Sequence, residues 1–161
     1  MKLIAKDGTK FYIDEEDYEL IKDFNWGVDT RKYETHERKY IQFKYKGKKV
    51  NLHRLLMGFP KGLQVDHKDN DPLNNRRSNL RTCTTSQNNA NGKARKGSSK
   101  YKGVYFDKAC NKWRSKIRKN GRIHHIGYFK CETKAAKAYD AKALELYGEF
   151  ARTNEMMGLL K

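Results

Sequence analysis

Cysteine and proline are scarce in this 161-residue chain, with three of the first and two of the second. Cys83, Cys110 and Cys131 are odd in number and widely spaced. They exclude a Cys-x-x-Cys zinc motif and a disulfide framework, and they point to a reducing, intracellular setting. With so little proline and no low-complexity tract, extended disorder is excluded too. No apolar run approaches the roughly 20 residues of a membrane span. The N-terminus MKLIAKDGTK lacks the apolar core of a signal peptide. Hydrophobic residues make up only 37% of the chain, and the mean hydropathy is −1.04. That favours small domains with thin cores over one large apolar interior.

Acidic residues are also in short supply. Nineteen acids face 36 bases, for a net charge of +17 and a pI near 9.8. A small chain with that excess is most simply a polyanion binder. The excess is regional. Residues 1–30 carry four bases and eight acids, residues 31–61 ten and two, residues 62–92 four and three, and residues 93–161 eighteen and six. A nearly neutral segment therefore sits between two basic ones, and its role differs from attracting phosphate. The basic stretch 31–61 is expected to add phosphate contacts.

The local patterns predict an α+β fold. Residues 1–13 read as a hairpin around Asp7-Gly8, and Asp14–Phe24 has helical spacing with acids crowding its first turn. Trp26–Val50 reads as strands, with Tyr40–Tyr45 turning at Lys46-Gly47 into a segment that runs on through Leu52. In the neutral segment, Leu63–Val65 is a short strand ending at Asp66-His67, and Leu80–Cys83 is a second. Thr84-x-x-Gln87 fits a capping box that opens a helix. Seven of the twelve asparagines lie within 63–92; most of them, Asn70, Asn74 and Asn75 included, read as loop-formers. After a basic linker over 93–100 come strands at 101–106, 112–118 and 122–129, with an Asn120-Gly121 turn. A helix capped by Thr133 then runs to Tyr147 and stops at Gly148.

Asp66 and His67 are the first chemical constellation. Neighbours in a strand point to opposite faces, so the pair converges only with a bend. A carboxylate with an amide oxygen is a suitable hard-ligand pair for Mg²⁺, and a neutral histidine beside such a metal can take a proton from water. The residues His53-Arg54-Leu55, Val65 to Asn70, Asn74 to Arg81 and Gln87-Asn88 resemble the HNH family, and more narrowly its phage and intron homing endonucleases. The resemblance implies a ββα-metal core over 50–92. It implies His67 as general base, Asn79 as the residue that orients it, and Asp66 with Asn88 as ligands of Mg²⁺ or Mn²⁺. Asn89 competes with Asn88 if the helix register slips by one. Arg76, Arg77 and Arg81 are expected to touch phosphates. His53 lines the site or packs as a structural residue, and His36, His124 and His125 receive no catalytic role.

The C-terminal unit carries a second resemblance. Lys112, Arg114, Lys116 and Arg118 share one face of a strand, opposite Trp113, Ser115 and Ile117. Tyr101-Lys102-Gly103-Val104, Lys112 to Arg118, Ile126 to Phe129, Thr133 to Asp140 and Phe150 to Asn154 resemble the plant ethylene-response-factor domain of the APETALA type. That resemblance implies a three-stranded sheet backed by one helix over 101–154, reading DNA through Lys102, Tyr105, Arg114, Lys116, Arg118 and His125. The expected partner is double-stranded DNA, with no membrane and no small-molecule cofactor, and the chain is expected to act as a monomer. Together these features predict an intracellular, metal-dependent homing-type DNA endonuclease with a separate β-rich segment over 1–49. The alternative is a non-catalytic DNA-binding regulator with a relic HNH core.

Overall fold

A computed structural model describes residues 1–33, 37–94 and 97–160. His36 and two bases of the linker lie outside these ranges. Helices and small antiparallel sheets alternate along the chain, the α+β class expected. Contacts divide it into two compact units, residues 1–84 and 85–161.

The first unit opens with a hairpin of β1 (Lys2–Ile4) and β2 (Lys10–Tyr12). The helix expected over Asp14–Phe24 is much shorter: a 3₁₀ turn at Glu15–Asp17 leads into α1 (Tyr18–Ile21). Tyr18 and Leu20 are exposed, and only Ile21 of the expected apolar face is fully buried. Phe24 has left the helix to pack against the Phe43 ring, 4.6 Å between centroids. A three-stranded sheet follows, β3 (Trp26–Lys32), β4 (Glu37–Tyr45) and β5 (Lys48–Asn51). Its tight turn places Lys46 and Gly47 at φ of 47° and 77°, the left-handed pair a two-residue hairpin requires.

The strand expected to run on through Leu52 becomes α2 (Leu52–Leu56) instead. Five residues are too few to register as helical periodicity. The turn forms because Leu52, Leu55 and Leu56 all enter the core with Phe11, Ile13, Ile41 and Leu80. The unit closes with β6 (Gln64–His67) paired to β7 (Leu80–Cys83).

The N-terminal 49 residues do not stand apart. Tyr12 N donates to Leu73 O and Asn75 N donates to Tyr12 O, both at 2.8 Å, so β2 grips the loop between β6 and β7. Buried Asp17 receives Arg77 Nη2 at 2.6 Å, and Asp14 Oδ2 accepts Arg77 N at 2.7 Å. The acids crowding that first turn serve the loop as well as the helix.

In the second unit α3 (Thr85–Asn91) starts where the Thr84 capping pattern predicts. The chain then enters β8 (Val104–Asp107), β9 (Lys112–Lys119), β10 (Arg122–Phe129) and α4 (Glu132–Tyr147). Residue 131, rather than Thr133, is the N-cap of α4. The sheet order is β10-β9-β8. Ser115 and Ile117 are buried along with Ala135, Ala136, Tyr139 and Ala143 of α4, so the alternation of β9 is realised. The division falls after Thr84 because α3 belongs to this unit: Ala90 packs with Ile117, Tyr139 and Ala143. Ser86 Oγ lies 2.8 Å from Tyr147 Oη and accepts Asn120 N at 2.9 Å.

The first strand starts later than the apolar pattern suggests because Gly103 has φ of +78°. A Cβ at that position would overlap the Tyr139 ring, whereas one at Gly121 (φ +80°) meets open space. Gly121→Ala should therefore cost only the left-handed backbone penalty, roughly 1–2 kcal/mol. Gly103→Ala adds overpacking of about 1–3 kcal/mol and should lower the denaturation midpoint clearly further. Equal midpoints for the two variants would refute the close approach of Gly103 to Tyr139.

Candidate active site and nucleic-acid interface

The loop between β6 and β7 is organised by one carboxylate. Asp69 accepts Asp71 N at 2.8 Å, Asn74 Nδ2 at 2.7 Å and Asn79 Nδ2 at 2.9 Å. Its own N–H donates to Asn79 Oδ1 at 3.1 Å. Burial raises the Asp69 pKa, but these hydrogen bonds outweigh it and hold the group below the usual carboxylate range. Asn79 also donates to Asn74 O at 2.7 Å. The residue expected to orient His67 thus bonds the centre of the loop.

A hydrogen bond to His67 comes from Asn75, whose sequence setting is that of a loop-former. Asn75 is buried, and its Oδ1 lies 3.2 Å from His67 Nε2. Because Asn75 Nδ2 donates to Pro72 O, its Oδ1 is the acceptor, and His67 Nε2 carries the proton. The neutral ring therefore keeps its lone pair on Nδ1. Burial lowers the His67 pKa, opposed by the Asn75 bond and by Asp69, Asp66 and Asp71. The signal that could have found Asn75 is position: it follows the Asp71-Pro72 turn, whose carbonyl fixes its amide.

His53, on α2, packs edge-on against His67 with ring centroids 5.0 Å apart. Burial, with the nearby charges of His67, Arg54 and Arg31, lowers its pKa to about 3. It is a neutral wall of the site at ordinary pH.

β6 runs regularly through His67, without the bend that convergence of Asp66 and His67 requires. Alternation sends His67 towards Asn75 and His53, and Asp66 towards its cross-strand neighbour Arg81. Asp66 is buried, and its Oδ2 accepts Arg81 Nε at 3.0 Å and Nη2 at 2.9 Å. Burial pushes the Cys83 thiol up to about 11, with Asp66 adding to the shift, so that sulfur stays protonated. Among the described residues no group of three or more His, Cys, Asp or Glu side chains is placed to hold a metal ion. The donor chemistry of Asp66 and an asparagine amide is nevertheless the hard oxygen set that Mg²⁺ or Mn²⁺ accepts, and it is too sparse for structural Zn²⁺.

Asn88 and Asn89 lie on α3, in the second unit. Ser86 and Ala90 fasten α3 to that unit, and a helix turns about 100° per residue. Asn88 therefore stands about 200° round from both anchors. Asn89 is nearer their side and lines a cavity of about 600 Å³ within the unit.

The three arginines expected on phosphates each have a partner within the first unit. Arg81 pairs with Asp66 and Arg77 with Asp17. Arg76 stacks over Tyr12, its Cζ 4.8 Å from the ring centroid. Lys102, expected on the DNA face, is half-buried: its Nζ donates to the carbonyls of Ala90 and Arg152, and burial lowers its pKa to about 8.

The remaining expected DNA residues share the open face of the C-terminal sheet. Tyr105, Arg114 and Tyr128 form one cross-strand row, and Lys116 pairs with His125 in the next. Lys116 Nζ lies 4.3 Å from the Tyr105 ring centroid, and the His125 and Tyr128 rings are 4.8 Å apart. Cations interleaved with aromatics on one sheet face suit a phosphate-lined groove.

A family model described as HNH endonuclease matches residues 54–90. Over 155 residues the chain is 31% identical to a protein of Acanthamoeba polyphaga mimivirus named as an uncharacterised HNH endonuclease, covering 92% of this chain and 76% of that protein. This chain belongs to the HNH endonuclease family. It is also 34% identical over 94 residues to Protein 3.8 of Escherichia phage T7, spanning 58% of this chain and 77% of that one. No solved structure matches it. Membership of the HNH family makes it a nuclease in class, with DNA the expected partner. Among its described residues no helix is long and apolar enough to cross a membrane.

His53 yields a stability prediction. Its folded pKa, about 3, lies below the ordinary 6.5, so between those values the unfolded chain binds the extra proton. Stability should fall as the pH drops below 6.5, by about 1.4 kcal/mol per pH unit from this one group. The loss should level off near pH 3. Denaturant melts from pH 7 to 4 should show a shallower acid slope in His53→Phe than in the parent. An unchanged slope would place the imidazole in solvent.

Proposed function

We propose that this chain is a site-preferring, metal-dependent DNA endonuclease of the homing type. His67 activates the water that attacks the phosphodiester. The observation that carries this reading is the state of His67: buried, neutral, and hydrogen-bonded through Nε2–H so that Nδ1 is the accepting atom. A base held in one tautomer takes the water proton without first reorienting. As the ring becomes an imidazolium, the carboxylates of Asp69, Asp66 and Asp71 favour the new charge. Asn75 continues to accept from Nε2 in both protonation states, so the ring stays in place. Asn79 acts through Asp69, closing the loop that presents the Asn75 amide.

Asp66 and Asn88 would hold the divalent ion, Mg²⁺ or Mn²⁺. When bound, such an ion supplies positive charge where negative charge develops during phosphoryl transfer. Asn89, one residue further along α3, is the alternative ligand. Arg81 holds the Asp66 carboxylate in position through two hydrogen bonds to Oδ2.

The C-terminal unit, of the ethylene-response-factor type, supplies the site preference. Tyr105, Arg114, Lys116, Arg118 and His125 face duplex DNA, and Lys102 supports them from within by joining α3 to the closing segment at Arg152. The nuclease module is then β6, β7 and α3, and 5′-phosphate and 3′-hydroxyl ends are the expected products.

Supercoiled plasmid incubated with Mg²⁺, with EDTA, and with the His67→Ala variant tests the chemistry. Nicking or linearisation should need the metal and should fall by about 10²–10⁴-fold in the variant, with DNA binding retained. Binding without any cleavage by the parent would assign the chain to non-catalytic regulation instead.

The reading sheet is tested separately. Arg114→Ala with Arg118→Ala should weaken binding and flatten the dependence of log K on log salt by about 2, near 0.9 for each phosphate no longer neutralised. An unaltered salt slope would remove this face from the interface.

A further inference from the structure

The polar face of the β3-β4-β5 sheet runs directly into the catalytic histidine. Register places Arg31 opposite Arg38, Asp29 opposite Tyr40, and Lys44 opposite Lys49. Alternation puts these side chains on one face, while Trp26, Val28, Ile41 and Phe43 take the other and join the core. Like charges directly opposite each other in an antiparallel pair repel. Arg31 is met by Asp29 at 2.9 Å and stacks on Tyr40, its Cζ 4.7 Å from the ring centroid. Arg38 Nη2 donates to Asn70 Oδ1 at 2.8 Å, and among the described residues it pairs with no carboxylate. Among the described residues, two facing guanidiniums share one carboxylate, that of Asp29, and form a site for an anion.

Position identifies that anion. Tyr40 lies 6.0 Å from the His53 ring, and His53 lies 5.0 Å from His67. The pair of arginines thus ends a short aromatic path that begins at the general base. Asn70, the partner of Arg38, follows Asp69 in the loop that orients His67. A polyanion whose scissile phosphate lies at His67 has this face within reach, three ring and guanidinium separations away.

We propose that Arg31 and Arg38 form a phosphate seat for the DNA backbone flanking the cleaved bond, with Tyr40 and His53 as the uncharged floor between seat and base. The proposal rests on the reading of His67 as the general base. Guanidinium forks suit the site because each can take two oxygens of one phosphate. Stacking on Tyr40 fixes the Arg31 plane before DNA arrives. The three ring and guanidinium separations bound the distance from seat to base at about five nucleotides of B-form strand, at 3.4 Å each.

The test uses the full chain in a His67→Ala background, so that the DNA survives. Binding of a duplex is followed by fluorescence anisotropy over a salt series. Arg31→Gln with Arg38→Gln should reduce the slope of log K against log salt by about 2. Lys22→Gln with Lys142→Gln, an equal charge change at two lysines outside the β3-β4-β5 sheet, should leave it unchanged. Should the glutamine pair fail to fold, Arg31→Lys with Arg38→Lys keeps the charge; it should retain the slope but bind more weakly, and unaltered affinity would refute fork recognition.

Phosphate-ethylation interference on a cleaved duplex should show contacts within about five nucleotides of the cut that disappear in the glutamine pair. Parental cleavage with an unreduced slope, or with no interference in that interval, overturns the seat. A reduced slope without any parental cleavage overturns the nuclease reading, and with it the placement beside a scissile bond, while the DNA-binding face stands.

Discussion

The carboxylate of Asp69 is the interaction on which the nuclease half depends. A loop of a dozen residues between two four-residue strands has no ladder to hold it, and its backbone groups need partners from side chains. Asp69 gathers Asp71, Asn74 and Asn79 onto two oxygens. That closure sets the path on which Asn75 reaches His67, and it brings Asn70 to Arg38. Most of the asparagines that mark the family are thus the internal scaffolding of one loop. The two residues proposed for the chemistry, His67 and Asp66, stand beyond the loop on β6.

Neutrality of the two histidines is a consequence of where they sit. His53 and His67 share an interior in which burial is the largest influence on each ring and disfavours an added proton. The same placement keeps both rings neutral at neutral pH and leaves the unit sensitive to acid. Arg81 solves the opposite problem for Asp66, whose charge would otherwise be buried alone. Cations that an interface reading assigns to DNA are committed to internal anions and carbonyls in four cases: Arg76 reaches Asn74, Arg77 reaches Asp17, Arg81 reaches Asp66, and Lys102 reaches Ala90 and Arg152.

Much of this was legible in the sequence, for identifiable reasons. The strands of the C-terminal sheet, the Asn120-Gly121 turn and α4 follow from alternation, turn chemistry and alanine spacing, which are local signals. The Asp66-His67 pair and the start of α3 are local as well. What was not legible depends on contacts distant in sequence. Nothing near Asp17 says that it will meet Arg77, and nothing near Tyr12 predicts its pairing with the 73–75 loop. The N-terminal segment therefore reads as separate when it is one fold with the nuclease strands. Helix α2 escapes a sequence reading because its five residues are helical only by virtue of the core they enter. Asn75 escapes it because an asparagine in a loop and an asparagine on a base look alike until the neighbouring carbonyl is placed.

The fastening of α3 fixes where this protein can be cut and recombined. The basic linker over 93–100 looks like the natural joint between a nuclease and a DNA reader. Yet Ser86, Ala90 and Lys102 stitch across it, so a graft made there would strand a seven-residue helix without the surface that folds it. The heritable module of the second half begins at Thr85, and it carries a candidate ligand of the nuclease along with the reading sheet. Swapping that module between relatives would move the proposed ligand Asn88 together with the proposed DNA-reading sheet in a single step.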